Sequence, residues 1–277
     1  MIRFSILCTL RRSLLSQFFI LERTRVKMQH KTISQLFMAA ILWSGGKDSA
    51  VTAFRAQEQG LKIHYLIPMI YSYLEINANE PIIYSSAIPL SILNEQANSI
   101  GATLAPLQYE SVREFKNQDL VDLLLKLKNA SGITHLGFGE GNCPLHFLWH
   151  ETVCNTVGLI PFAPIDHKNE TSISSYQQFL LDKSFKYIIT AVTRHIPYHF
   201  AGSEFSQQYI DDCKNEKICP VASDGYCHSF CYDGPIFSKP IGWKHIDTKT
   251  IPTSFFDENN KTQPEYTRFY LITNDTA

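Results

Sequence analysis

Three observations predict an α/β fold, a parallel-sheet domain followed by a smaller α+β domain. Short apolar runs alternate with amphipathic stretches of about three turns between residues 38 and 165. Beyond residue 165 the rhythm shifts to aromatic-rich, strand-like alternation. Between the first apolar run and the first helical stretch sits an abrupt polar, glycine-rich segment, Ser44–Ser49.

The elements follow in order. "MAAILW" from Met38 is a continuous apolar run, as expected of a strand buried on both faces. Asp48 to Gln59 carries Ala50, Ala53, Phe54 and Ala56 at helical spacing, with Gly60 as the stop. "LKIHYLIPMI" reads as a strand, "LSILNEQANSIG" as a helix closed by Gly101, and "ATLAPLQY" as a short strand. Leu120, Leu123, Leu124 and Leu127 lie on one face of an amphipathic helix that packs into the core. "ITHLGFG" is a strand ending in glycine, and Phe147 to Val157 is helical. Beyond them, "SSYQQFLLDKSF" and Phe205 to Cys213 read as helices, while "KYIITAV", "YCHSFCYDG" and "EYTRFYLITND" read as strands. Right-handed crossovers place every parallel strand's carboxyl end on one edge, where ligands of such sheets bind. Ser44–Ser49 therefore belongs at that edge. The expected division is residues 1–37 as an N-terminal extension, 38–165 as the first domain and 166–277 as the second.

Composition bounds the partners. The chain has 277 residues and a formal net charge of −1, so no global basic field is available and nucleic acid is not an expected partner. Residues 1–37 contain Arg3, Arg11, Arg12, Arg23, Arg25 and Lys27 against one acid, Glu22. That composition resembles a transit peptide, and the preferred alternative is a start at Met28 or Met38. No stretch is long enough to span a membrane. The 7 cysteines include no Cys-x-x-Cys pair. Cys213, Cys219, Cys227 and Cys231 with His228 form the one cluster, and reduced thiols of a cytoplasmic protein, with no metal site, are the expectation.

The Ser44–Ser49 segment suits a polyphosphate. Gly45 and Gly46 let backbone approach a ligand, and successive N–H groups at a helix N-terminus form an anion nest. Lys47 adds a positive charge, and Ser44 and Ser49 can donate to phosphate oxygens. Asp48 is either a helix cap or a magnesium ligand. The spacing differs from Gly-x-x-x-x-Gly-Lys-Ser/Thr. "SGGKDS" instead resembles the signature of the PP-loop ATP pyrophosphatases, of adenine nucleotide alpha hydrolase-like fold. The resemblance implies that ATP is cleaved at its α-phosphate, with release of pyrophosphate. Gly137, Gly139, Glu140 and Gly141 follow a strand at the same edge, and Gly137 and Gly139 suit a second wall of the nucleotide site.

"SDGYCHSFCYDGPIFSKPI", Ser223 to Ile241, resembles the C-terminal motif of the diphthine–ammonia ligase family, and the likeness extends over most of Met38 to Asp275. That resemblance implies an ATP- and Mg2+-dependent ligase that adenylates a carboxylate and lets ammonia or another amine displace AMP. The family's acceptor is diphthine on elongation factor 2. Gly225, His228, Asp233, Gly234 and Pro235 match the motif. His228 is then a substrate-side candidate or a structural histidine, Asp233 a functional acid or a turn former, and Glu204 a site acid or a helix start. Ser223 and Tyr226 stand where the family has glutamates, and Ala222 replaces its first glycine. The nucleotide half matches and the acceptor half departs. Two rival readings follow: an ATP-binding sensor or scaffold without turnover, and a tRNA-modifying PP-loop enzyme.

Overall fold

The computed structural model describes residues 37–72, 77, 80–110, 114–140, 144–165, 169–222, 225–253 and 265–275. Residues 1–36, Gly141 and Ser223, all weighed above, lie outside the described residues. In chain order the described elements are β1 (Met38–Leu42), α1 (Lys47–Glu58), β2 (Lys62–Ile67), β3 (Met69–Tyr71), α2 (Leu90–Ile100), β4 (Thr103–Leu104) and β5 (Leu107–Tyr109). They continue with α3 (Asn117–Ser131), β6 (His135–Gly137), α4 (Pro144–Val157), β7 (Ile160–Phe162), α5 (Glu170–Asp182) and β8 (Lys186–Thr193). A 3-10 turn (Tyr198–Phe200), α6 (Gln207–Asn215), β9 (Cys227–Asp233), β10 (Lys244–Thr253) and β11 (Glu265–Thr273) complete them.

The first sheet is parallel, in the order β4–β2–β1–β6–β7. The chain runs outward from β1 through β2 to β4, then returns to β6 on the other side of β1. The topological switch point therefore lies between β1 and β6, where an open parallel sheet forms its ligand crevice. Strand periodicity splits β1 between two cores: Ala39 and Ile41 pack with α1 and α2, while Ala40 packs with α3 and α4. The leucine face of α3 buries Leu120, Leu124 and Leu127 as its spacing predicts. Gly101 and Gly132 end α2 and α3 in the left-handed conformation.

The second sheet is antiparallel, in the order β10–β11–β8–β9. One apolar core joins the two sheets, holding Ile41, Ala50 and Ile92 together with Tyr187, Ile188 and Phe230. The expected architecture is thus present, a parallel α/β part followed by a smaller antiparallel α+β part.

Local differences have physical causes. The single strand expected over residues 61–70 is two, because Pro68 cannot donate to a ladder. Residues 102–109 likewise divide around Pro106, and β3 pairs with β5 in a separate parallel ladder. β7, only Ile160–Phe162, and the polar β10 are strands that periodicity did not signal. Among the described residues, no helix is long and apolar enough to cross a membrane.

Candidate functional site

The segment after β1 turns sharply at Gly45, whose φ of +74° lies in the left-handed region. Gly46 then precedes α1 with extended backbone and no side-chain cap. Asp48 is not the cap, as it sits inside the first turn. Its carboxylate there favours the positive end of the helix dipole. The first amides of a helix have no intrahelical acceptor, so α1 presents donors at this edge. Ser49 Oγ donates to the Gly46 carbonyl at 2.9 Å and lies 3.3 Å from Ser44 Oγ. The Gly46 amide donates to Ser44 Oγ at 3.3 Å.

Strand β9 lies directly alongside this turn. The Cys231 amide donates to the Gly45 carbonyl at 2.9 Å, and the Lys47 amide donates to Ser229 Oγ at 3.2 Å. A Cβ on Gly46 would lie 2.8 Å from the Ser229 carbonyl oxygen, so glycine is required for this approach. Gln96 on α2, with 0% exposure, fastens the same junction. Its amide nitrogen donates to the carbonyls of Gly45 (2.9 Å) and Cys231 (2.8 Å), and its oxygen accepts from Trp43 Nε1 at 2.8 Å.

Lys47 is only 3% exposed, and its Nζ donates to Asp48 Oδ2 at 2.7 Å. Asp48 Oδ1 accepts from the Tyr176 hydroxyl, on α5, also at 2.7 Å. Burial first, and then the Asp48 charge and hydrogen bond, push the Tyr176 hydroxyl well above its ordinary pKa. His228 is half-buried on β9. Burial and then the Lys47 charge lower its pKa to about 4, partly offset by Asp48, so it is neutral at pH 7.

Ser44, Gly46, Lys47, Asp48 and His228 line one cavity, with Ser85, Ser86, Cys227 and Ser229 completing its walls. The donor set is a buried ammonium, serine hydroxyls and a helix N-terminus, with Asp48 the one carboxylate in the lining. This set fits a phosphate chain accompanied by a divalent cation.

The other candidates lie elsewhere. A Cβ on Gly137 would meet Ile41 Cδ1 at 2.5 Å and Thr52 Cγ2 at 3.0 Å, so this glycine lets β6 pack on β1 and α1. A Cβ on Gly139 would lie 2.7 Å from the Asp48 carbonyl carbon, so its backbone abuts the first turn of α1. Neither belongs to the cavity lining. Glu140 Oε2 lies 3.0 Å from His146 Nδ1 and 3.2 Å from His150 Nε2. The second contact has ion-pair distance but not hydrogen-bond alignment. Burial raises the Glu140 carboxyl, yet the two histidines outweigh it and hold its pKa below the ordinary value.

Asp233 is at the far end of β9 from His228, five residues away or about 17 Å along the strand. There it accepts from Lys186 Nζ and from the Gly234 amide, each at 2.9 Å. Glu204 is at that same end, where it accepts from the Tyr232 hydroxyl. Tyr226, one of the two residues that stand in place of the motif's glutamates, is exposed and lies against the His195 ring at 4.5 Å between centroids. Ala222, in place of the motif's first glycine, adopts a left-handed φ of 52°. Cys213, Cys219, Cys227 and Cys231 are not joined to one another by disulfides. Among the described residues, no group of three or more His, Cys, Asp and Glu side chains is arranged to hold a metal ion.

Tyr176, Gln96, Ser85, Ser86 and Ser229 escaped the sequence reading. Gln96 alone offered a signal, a polar residue on the apolar face of α2. The serines and Tyr176 reach the site only through tertiary packing.

Residues 37–161 match the family model of the diphthamide synthase N-terminal domain. This part of the chain is diphthamide-synthase-like and carries the PP-loop type of segment. No curated protein matches the chain. Among solved structures, it is similar to a predicted subunit of tRNA methyltransferase from Methanocaldococcus jannaschii, at 14% identity and a TM-score of 0.35. That alignment covers 74% of this chain and 100% of the other.

Proposed function

We propose that the protein is an ATP-dependent adenylating enzyme that converts ATP to AMP and pyrophosphate and resembles diphthine–ammonia ligase. One observation carries this reading: Ser44, Gly46, Lys47 and Asp48, from the segment that leaves β1 at the β1/β6 switch point and begins α1, line one cavity. The match of residues 37–161 to the diphthamide synthase N-terminal domain supports it.

In this reading Lys47 and the amides at the start of α1 hold the β- and γ-phosphates and Ser44 donates to them, while Ser49, whose hydroxyl donates to the Gly46 carbonyl, orients the loop. Asp48 is the residue that would hold Mg2+, which would neutralise phosphate charge. A phosphate entering the cavity competes with Asp48 for Lys47 Nζ and frees a carboxylate oxygen for the cation. An acceptor carboxylate attacks the α-phosphorus, the bond from that phosphorus to the bridging oxygen breaks, and pyrophosphate leaves. Ammonia then attacks the acyl carbon, AMP leaves and one proton is released. His228 faces this site as a neutral ring. The acceptor side is assigned to the second domain, residues 166–277, with diphthine on elongation factor 2 as the acceptor to test first. A cytoplasmic setting, where thiols stay reduced, goes with this reading.

A second reading, an ATP-binding sensor without turnover, is favoured by one feature. Tyr226 supplies an uncharged phenol where the ligase motif has a carboxylate.

The test is a product assay with α-labelled ATP, Mg2+, ammonium and carboxylate acceptors including diphthine-bearing elongation factor. AMP and pyrophosphate are expected and should vanish in Lys47→Ala. ADP as product would overturn the adenylation reading. Tight ATP binding without turnover on any acceptor would favour the sensor.

A further inference from the structure

The turn that brings Ser85 and Ser86 to the cavity is held in an unusual conformation. The Ile83 amide donates to the Ile88 carbonyl and the Ala87 amide to the Ile83 carbonyl, each at 2.8 Å. Ala87 has a φ of 54°, in the left-handed region that residues with a Cβ rarely adopt. Packing maintains it. Ile82 and Ala87, which flank the serines, are both buried in a small cluster with Ala191 of β8 and with Phe269 and Leu271 of β11. A backbone outlier fixed from both sides, at the wall of a cavity, is a reason to look for function in the residues it presents.

Ser86 is the residue so presented. It is 3% exposed and lines the cavity, yet its Oγ has no hydrogen-bond partner among the described residues. Leaving a buried hydroxyl unsatisfied is costly, and native structures rarely do so without a reason. The same cavity holds the Lys47 ammonium, the Ser44 and Ser229 hydroxyls and a neutral His228. Its character is that of an anion site, and a serine hydroxyl can donate to a phosphate oxygen.

We propose that Ser86 is a further ligand-contacting residue of this cavity, donating its hydroxyl to the terminal phosphates of the nucleotide and to the pyrophosphate that leaves. The assignment rests on the adenylation reading and extends it. It adds a part of the cavity lining supplied by the segment just before α2. A phosphate chain held there is grasped by α1, by β9 and by a turn anchored on β8 and β11.

Inorganic pyrophosphate, ATP and AMP are the probes, titrated calorimetrically into the full chain and into Ser86→Ala and Ser86→Cys. The cysteine variant nearly preserves volume but is a weak donor, so a shared loss does not reflect a cavity or misfolding. Both variants should bind pyrophosphate and ATP about tenfold more weakly, the range for losing a hydrogen bond to a charged group. AMP binding should change less than twofold, and the unliganded melting temperature should not fall. Pyrophosphate binding within twofold of the parent in both variants, while Lys47→Ala loses it, would overturn the role of Ser86 and leave the adenylation reading standing. Failure of the parent chain to bind either pyrophosphate or ATP would overturn both.

Discussion

The Tyr176 hydroxyl, on α5, donates to Asp48 Oδ1 at 2.7 Å, across 128 residues of sequence. It ties the helix that begins the second part of the fold to the first turn of α1. With Lys47 Nζ on the other carboxylate oxygen, Asp48 is held from both sides. Tyr176→Phe keeps the ring and removes the donor. Hydrogen bonds to charged groups contribute roughly 1.5–3 kcal/mol, and water can reach Asp48, so a loss of about 1–2 kcal/mol is expected. The variant should also lower ATP turnover, since the rotamer of Asp48 is no longer fixed. An unchanged urea midpoint would remove Tyr176 from the account of the site.

Gln96 is the second tie. Replacing it with leucine would leave the Trp43 indole N–H and the Cys231 carbonyl without their side-chain partner, while the Gly45 carbonyl keeps the Cys231 amide. Two buried groups losing partners should cost about 2–4 kcal/mol. Gln96→Glu should be worse, because a carboxylate oxygen would face two carbonyl oxygens. Chemical denaturation measures both. Leucine as stable as glutamine would show that the junction relaxes around the loss.

Much of this is legible in the sequence. Apolar runs followed by helical periodicity carry their own signal, so β1, α1, α2 and the α3 face could be read locally. Ser44–Ser49 was legible for the same reason: its residue types and its place between strand and helix are sequence facts. The walls around it were not. Ser229 and Ser86 reach the cavity because β9 and the turn before α2 pack there, and no local pattern encodes that. Asp233 shows the reverse limit. It sits beside His228 in a sequence motif, but an extended strand carries it about 17 Å away, to Lys186 and Gly234. Pro68 and Pro106 were visible, yet their effect, dividing two strands between two sheets, depends on partners.

Two glycines give a paired test of packing against backbone conformation. A methyl at Gly139 would lie 2.7–2.8 Å from the Asp48 carbonyl and the Ser49 amide nitrogen, all backbone atoms that cannot swing aside. A methyl at Gly60 would meet nothing within 4 Å, and its cost is only that of a φ of +79°. Gly139→Ala should therefore destabilise by about 2–4 kcal/mol and impair nucleotide binding by displacing α1. Gly60→Ala should cost about 1 kcal/mol and leave binding intact. Calorimetric melting with and without ATP distinguishes them. Equal effects would mean that the contact of Gly139 with the first turn of α1 yields easily.

The pH dependence follows from His228. Its pKa is lowered to about 4, first by burial and then by Lys47, against an ordinary value near 6.5. The unfolded chain takes up this proton near pH 6.5 and the folded chain only near pH 4. Between those values the unfolded state binds more protons, so stability falls as pH falls. The contribution is whole above about pH 6.5 and is lost toward pH 4. His228→Gln removes the proton site, so between pH 7 and 4.5 it should lose less stability than the parent, by on the order of 1–2 kcal/mol. The same geometry makes anion binding draw a proton. A phosphate in the cavity opposes the charge of Lys47 and raises the pKa of His228, so pyrophosphate binding near pH 5 should be accompanied by proton uptake. Titration calorimetry in two buffers of different ionisation enthalpy measures that uptake. Parallel stability curves for parent and variant, with no buffer dependence, would show that His228 is not electrostatically coupled to the cavity.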